Sequence, residues 1–227
     1  MKAFFKTYRT FLSVFGFISV CILLLFYNAL KPVRILPVYQ PAQVSFELVD
    51  STLQHIKKRH RVSDFSLTNQ NGETITQSAY QNKIVVVDFF FTTCPTICPI
   101  MTNNMVKLQE KIKDQDQIKL LSFSVTPQID SVAQLKKYAL EKGVLDKHWN
   151  LLTGDKKEIY TLARKSYFVV KDHGDGGSFD MIHTENFVLV DPDSRIRGYY
   201  DGTSMEEMET LWEDIEVLQN EYPIDSN

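Results

Sequence analysis

Beyond the N-terminal 35 residues, the apolar positions cluster into runs that are too short for helices. Ile84 to Phe91 is apolar except for Asp88, and a second run, from Lys119 to Val125, is interrupted by Ser122 and Ser124. Largely apolar runs of this length predict buried strands, and the first has the length and continuity of a strand that is covered on both faces, as the strands of parallel sheets are. A shorter run, from Trp149 to Leu152, predicts a further strand.

Helical periodicity and capping residues follow these strands. Ser131 to Lys142 has a helical period and is followed by Gly143, a typical C-terminal stop. Capping pairs predict two more helices, because each begins with an N-cap residue followed three positions later by Glu. The first predicted helix follows the first strand and runs to about Lys113. The second covers residues 131–142, the third begins at Asp155, and the last runs from Ser204 to about Asn220.

Two hairpins complete the pattern. Residues 64–76 alternate around Asn71-Gly72, a strong hairpin signal, and residues 187–190 and 196–200 flank a turn at Asp191–Ser194. Strands that alternate with helices and end in a hairpin and a helix predict an α/β fold of the thioredoxin type with an N-terminal β-hairpin extension.

A segment at the N-terminus has a different composition. Residues 10–30 carry no charge and, as a helix, would span about 30 Å, the thickness of the hydrocarbon core of a bilayer. No small-x-small cleavage site follows, so we expect a retained transmembrane helix. Val20 stands before Cys21 where lipoprotein processing favours a small residue, so Cys21 is interpreted as a membrane-embedded thiol. Basic residues at the N-terminus outnumber those after the helix, which predicts a cytoplasmic tail.

The predicted organisation is therefore a cytoplasmic tail (1–9), a transmembrane anchor (10–30), an extended tether with edge strands (31–58) and a thioredoxin-like domain (59–227). Beyond residue 34 the chain carries 20 basic and 28 acidic residues, a net charge of −8. This charge argues against a nucleic-acid partner. The basic run at 57–61 is interpreted as a solvated turn.

Cys94 and Cys98 follow the first strand directly, and they are the two cysteines outside the anchor. Pro95 and Pro99 suit the first turn of a helix, so Cys94 is predicted to lie near a helix N-terminus. There the helix dipole favours a thiolate, which both metals and disulfides require. The spacing suits either a shared metal or a disulfide, and a structural disulfide framework would use more cysteines.

Several motifs in the same order resemble one known family. The chain contains Asp-Phe-Ser-Leu-Thr at 64–68, then Phe-x-x-Thr-Cys-Pro-Thr-x-Cys-Pro after a buried strand, and a distant His before a strand ending in Asp-Pro-Asp. With the N-terminal anchor, these features over roughly Asp64–Asn220 resemble the Sco (SenC) family. Its members are membrane-anchored thioredoxin-fold proteins that bind copper and help to assemble the copper centre of cytochrome c oxidase.

The resemblance implies a metal site formed by Cys94, Cys98 and His183. Two soft thiolates and one imidazole suit Cu(I), and the same ligands can accept Cu(II), whereas zinc usually takes a fourth donor. Two positions depart from the family pattern. Thr126 stands where an Asp is common, although Asp130 keeps a later acid, and Thr184 replaces a common Ser.

Two functions are compatible with this site. The first is a copper metallochaperone that delivers copper to the copper-bearing subunit of cytochrome c oxidase or to another copper protein, or prepares that centre. The alternative is a thiol-disulfide reductase that uses Cys94 and Cys98 as a redox-active pair, so enzymatic activity stays open. The three-residue spacing and the lack of a proline between Met181 and Leu189 argue against a general reductase. A peroxidase is disfavoured because Phe91 stands where Thr or Ser would activate the cysteine.

The same resemblance and the charge pattern predict a location. We expect a single-pass protein of the bacterial inner membrane whose C-terminal domain faces the periplasm or an equivalent extracytoplasmic compartment. The copper site then exists only if the fold brings the end of the Gly-rich loop at 171–177 over the cysteine helix.

Overall fold

The computed structural model describes residues 8–30, 34–44, 60–170 and 181–223. The chain divides into two units, Met1–Ile35 and Leu36–Asn227. The predictions for residues 1–7, for the basic residues before His60 and for the Gly-rich loop at 171–177 lie outside the described residues.

The first unit contains one helix, α1 (Arg9–Ala29). Its segment Arg9–Tyr27 has a mean hydropathy of 2.3, and none of it is buried. The helix is long and apolar enough to cross a membrane, at the place where the sequence predicts an anchor.

The second unit is built on one seven-stranded sheet in the order β2-β1-β5-β4-β3-β6-β7. The strands are β1 (Ser66–Asn69), β2 (Thr74–Thr76), β3 (Ile84–Phe90), β4 (Ile118–Ser124), β5 (Trp149–Thr153), β6 (Asn186–Val190) and β7 (Ile196–Asp201). Strands β3, β4 and β5 are parallel, and β6 and β7 are antiparallel to their neighbours. The hairpin β1–β2 adds to the edge at β5, as the predicted thioredoxin-like fold with an N-terminal hairpin requires.

Helices cover the sheet at the predicted positions. They are α2 (Ile97–Ile112), α3 (Val132–Lys142), α4 (Lys156–Thr161, continued by a π turn to Ser166) and α5 (Met205–Glu221). The side chains of Ser131, Asp155 and Ser204 each accept a hydrogen bond from the backbone three residues on, which satisfies one free N–H of the first turn. Gly143 ends α3 in the left-handed conformation, with φ of 73°.

Each face of β3 packs into a separate apolar cluster, and every residue of the strand is buried. Ile84, Val86 and Phe90 face a cluster that contains α2 and α5, and the alternate residues face a second cluster under α4. This two-sided burial explains why the strand is a continuous apolar run rather than an alternating one. Asp88 lies on the same face as Val86 and Phe90 and therefore points toward the cysteine helix.

Strand directions bring three loops to one edge of the sheet. β3 and β4 are parallel with Phe90 opposite Ser124, so the cysteine loop and the loop that carries Asp130 leave at the same edge. β6 runs the other way, with Val188 opposite Val87. The segment of His183, which enters β6 at Asn186, therefore arrives at the edge where the cysteines lie.

One local prediction, the turn of the first hairpin, differs from the structure. The loop between β1 and β2 is longer than a two-residue turn, and Gly72 takes a positive φ (79°) while Asn71 does not. In the region predicted as an extended tether with edge strands, the described residues 34–44 contain no strand and a single 3-10 turn, Pro41–Gln43. The guanidinium of Arg197 donates hydrogen bonds to the carbonyls of Leu36 and Pro37, so this part of the tether is held against the domain.

Candidate metal centre

The two cysteines meet at the start of α2. Cys94 precedes the helix and Cys98 lies in its first turn, and both are free thiols that are 8% and 3% exposed. The backbone N–H of Cys98 donates to the sulfur of Cys94 at 3.5 Å, and the Thr96 hydroxyl lies 3.8 Å from the same sulfur. The Cys94 sulfur thus occupies the position of an N-cap acceptor, where the helix dipole favours negative charge.

The surroundings separate the two thiols in acidity. Burial by itself would raise the pKa of Cys94, but hydrogen bonds from the backbone of Thr96 and Cys98 outweigh it and lower the pKa to about 7. Burial raises the pKa of Cys98 to about 12, and the nearby negative charges of Cys94 and Asp88 add to the effect. Cys94 is therefore substantially a thiolate near neutral pH, and Cys98 holds its proton.

Asp88 is a buried carboxyl group beneath this pair. It is 2% exposed, and its Oδ1 atom has no hydrogen-bond partner among the described residues. Burial raises its pKa to about 7, although a hydrogen bond from Ser122 opposes the shift. The interruption of the apolar run at this position was the visible signal in the sequence, but the predictions gave Asp88 no role.

Phe91 connects the cysteines to the histidine. Its carbonyl accepts a hydrogen bond from the Cys94 backbone at 3.3 Å, and its side chain packs against both apolar clusters of the domain. The ring of His183 meets the ring of Phe91 edge to face, with 5.8 Å between the centroids. His183 is therefore one aromatic ring away from the cysteine loop.

The structure brings the two cysteines together, but it does not bring His183 into a complete site with them. In the parts of the chain that the structure describes, no three His, Cys, Asp or Glu side chains form a group that could hold a metal ion. His183 is exposed, and a turn of its side chain or a shift of its segment is required before the three side chains can share one ion. The assignment of Cys94, Cys98 and His183 as joint ligands stays a prediction.

Asp130 organises the loop that leads to the cysteines. This fully buried carboxylate accepts hydrogen bonds from the Thr92 hydroxyl (2.5 Å), the Thr92 backbone (3.3 Å), the Ser124 hydroxyl (2.5 Å) and the Thr126 hydroxyl (3.0 Å). Thr126, which departs from the family pattern, is thus a donor to this carboxylate. Asp130 therefore connects the cysteine loop to the end of β4. From the sequence it was noted only as an acidic residue that follows Thr126.

The fold and the pair of thiols at a helix N-terminus define a thioredoxin-like protein. A family model described as SCO1/SenC matches residues 53–219. The chain belongs to the SCO1/SenC family, as its motifs predict.

Several known proteins are similar to the chain. The "SCO1 protein homolog" of Bacillus subtilis (strain 168) is 35% identical over 145 residues, which are 63% of this chain and 75% of that protein. A solved structure of BsSco, described as a member of the Sco family of cytochrome c oxidase assembly proteins with a disulfide switch, is 30% identical, with a TM-score of 0.61 over 73% of this chain and 95% of that one. The structure of Bradyrhizobium japonicum ScoI with copper bound is 27% identical, with a TM-score of 0.51 over 68% and 99% of the two chains.

Proposed function

We propose that this protein is a membrane-anchored copper metallochaperone that binds copper through Cys94, Cys98 and His183 and delivers it to the copper centre of cytochrome c oxidase, or prepares that centre. The observation that carries the proposal is the cysteine pair: two free thiols at one helix N-terminus, with an imidazole one ring away. Membership of the SCO1/SenC family and the copper-bound ScoI relative support copper as the cargo.

The donor set suits copper for chemical reasons. Thiolates are soft ligands that favour Cu(I), and imidazole binds both oxidation states. Cys94 supplies a thiolate near neutral pH because its pKa is about 7, whereas Cys98 must release a proton when the metal binds. Since the cysteine pair is already assembled and His183 lies beside Phe91, the thiols provide the first contacts and the histidine completes the site.

The anchor and the partner follow from the same proposal. Helix α1 would hold the domain at the bacterial inner membrane, with the N-terminus in the cytoplasm and the copper domain on the extracytoplasmic side. The acceptor would be the copper-bearing subunit of cytochrome c oxidase or another copper protein.

A thiol-disulfide reductase is the second candidate, and the split between the two pKa values favours it. The Cys94 thiolate would attack one sulfur of a disulfide on the partner and form a mixed disulfide, while the other partner sulfur leaves as a thiolate. Cys98, after losing its proton, would attack the Cys94 sulfur and release the second partner thiolate. The partner disulfide gains two electrons and the Cys94–Cys98 pair loses two. The disulfide switch described for BsSco is compatible with this chemistry.

The test uses the full-length chain in detergent and an anaerobic Cu(I) titration against a chromophoric chelator. We expect one Cu(I) per chain, and we expect His183→Ala to weaken binding by at least about 10-fold, since even outer-shell partners of metal ligands are worth that much. His148→Ala, which removes a histidine outside the candidate site, serves as the matched control. Parent-like Cu(I) affinity in His183→Ala, together with rapid reduction of protein disulfides by the parent, would favour the reductase and reject the three-ligand site.

A further inference from the structure

Tyr160 is a buried residue of α4 in the second apolar cluster. It contacts the segment that contains His183. It is 1% exposed, and its ring packs among the apolar side chains under α4. Its hydroxyl donates a hydrogen bond to the carbonyl of Val125 at 3.0 Å. The same hydroxyl accepts a hydrogen bond from the backbone N–H of Ile182 at 3.4 Å, and Ile182 directly precedes His183.

Val125 joins this bridge to the cysteine side of the site. Its backbone N–H donates to the carbonyl of Phe90 at 2.8 Å, and Phe90 is the last residue of β3 before the cysteine loop. A continuous path of hydrogen bonds therefore connects Phe90 through Val125 and Tyr160 to Ile182. Both sides of the candidate site are therefore connected by hydrogen bonds to Val125, the residue that follows β4.

His183 lies between two fixed backbone points. Ile182 is held by the Tyr160 hydroxyl, and on the other side the carbonyl of Glu185 accepts a hydrogen bond from Gly202 at 2.7 Å. The side chain of Ile182 is buried (3% exposed), whereas His183 is exposed. The backbone on both sides of His183 is thus held by hydrogen bonds, while its imidazole is exposed and packs against Phe91.

We propose that Tyr160 is a positioning residue whose hydroxyl fixes the backbone position of His183 beside the cysteine loop. The inference rests on the proposed function, because it assumes that His183 ligates the metal. Tyr160 touches neither the metal nor the thiols; it acts by fixing the peptide next to the ligand. A bond to a ligand is sensitive to a shift of a few tenths of an ångström, so a small loss of order in this peptide reduces affinity.

The hydroxyl can be removed without removing the ring. Tyr160→Phe keeps the packing of the cluster and deletes both hydrogen bonds. Tyr199→Phe is the matched control, because the Tyr199 hydroxyl also donates to a backbone carbonyl, that of Tyr167, at 3.0 Å. Each variant would be made in the full-length chain in detergent, with and without His183→Ala, and titrated anaerobically with Cu(I).

We expect Tyr160→Phe to weaken Cu(I) binding roughly 3- to 10-fold, the equilibrium equivalent of one net hydrogen bond, while Tyr199→Phe binds as the parent does. In the His183→Ala background the effect of Tyr160→Phe should vanish, because the hydroxyl acts through the histidine. Deuterium uptake by the peptide that contains Ile182 should rise in Tyr160→Phe and not in Tyr199→Phe. Deuterium uptake reports how readily the segment opens in each variant, and it does not depend on copper.

The outcomes separate the inference from the function on which it rests. Parent-like Cu(I) affinity in His183→Ala overturns the ligand assignment and the role of Tyr160 with it. Weak binding by His183→Ala combined with parent-like binding by Tyr160→Phe overturns the role of Tyr160 alone. An effect of Tyr160→Phe that persists in the His183→Ala background also overturns that role, because it would then be a general structural effect. Unchanged deuterium uptake in Tyr160→Phe contradicts the proposed hydrogen bond.

Discussion

The two sides of the candidate site are held in different ways. The cysteine side is a loop with buried cysteines that Asp130 secures through several hydrogen bonds and that enters a helix whose first turn donates a hydrogen bond to the Cys94 sulfur. The histidine side is an exposed imidazole that rests against Phe91, with its backbone tied at the two neighbouring peptides. The cysteine pair is already assembled in the structure, whereas the imidazole contacts Phe91 and forms no metal-binding group with the cysteines among the described residues.

This difference would suit the proposed metallochaperone, which binds a metal and then releases it. A fully rigid site of three ligands would bind tightly and release slowly, whereas a site with one movable ligand can lose that ligand first during transfer. The comparison predicts that changes on the cysteine side alter stability and binding together, and that changes on the histidine side alter binding alone.

Loss of either thiol should have the largest effect. In Cys94→Ser and Cys98→Ser, one of the two soft donors is replaced by a hydroxyl, which is a poor ligand for Cu(I). We expect Cu(I) binding to fall below detection in competition with a chromophoric chelator. Cys21→Ser, which changes the thiol in α1, should bind as the parent does; strong Cu(I) binding by either of the first two variants would contradict the cysteine site.

Asp130→Ala tests the rigidity of the cysteine side. The substitution leaves the Thr92 N–H and the Ser124 and Thr126 hydroxyls without their acceptor in a buried place, so we expect the free energy of unfolding to decrease by about 3 kcal/mol. Chemical denaturation monitored by circular dichroism measures it. Asp116→Asn, which breaks an ion pair at the exposed surface, should leave the midpoint unchanged. Equal effects of the two variants would show that Asp130 does not secure the loop.

The pH dependence of alkylation compares the two thiols. Because the pKa of Cys94 is lowered to about 7, its thiolate fraction rises as the pH is raised through 7 and then levels off. Cys98, with a pKa raised to about 12, stays protonated and slow over the same range. Iodoacetamide rates measured by mass spectrometry in Cys98→Ser and Cys94→Ser, both in a Cys21→Ser background, give the two profiles. An alkylation profile whose midpoint lies near the usual pKa of a cysteine thiol would contradict the predicted effect of the helix N-terminus on Cys94.

The smallest effect is expected from His183→Ala on stability. The imidazole is exposed and packs edge to face with the Phe91 ring, so the free energy of unfolding should change by less than about 0.5 kcal/mol. Thermal unfolding without copper measures it. A large loss of stability would mean that the histidine side is as firmly held as the cysteine side, and the contrast between them would be wrong.

The sequence predicted the strands and helices of this protein well because the patterns that indicate them are local. Apolar runs, N-cap residues and Gly143 lie within the elements that they define, and the observed strands and helices begin and end within a few residues of the predicted positions. The sequence does not reveal contacts between distant parts of the chain. The guanidinium of Arg197, about 160 positions away in sequence, donates hydrogen bonds to the carbonyls of Leu36 and Pro37 in the predicted tether.

The candidate site divides in the same way. Cys94 and Cys98 were found from their spacing and from the helix that follows, and His183 from the resemblance to the SCO1/SenC family. No pattern in the sequence indicated Tyr160, because its hydroxyl serves two backbone groups, at Val125 and Ile182, that lie on different loops. Asp130 and Asp88 were visible as acidic residues, but burial and partners, which decide their roles, depend on the packed fold.

The sequence alone determined the succession of strands and helices along the chain, the apolar N-terminal helix and the cysteine pair, since each follows from residues that are close together along the chain. It also indicated the family, through several motifs that occur in a fixed order. The tertiary structure decided that β6 runs opposite to β3 and delivers His183 to the edge where the cysteines lie. It also decided that the imidazole meets Phe91 rather than the sulfur atoms. The physical reason is that these distances depend on strand direction and on hydrogen bonds across the sheet, which no single stretch of the chain encodes.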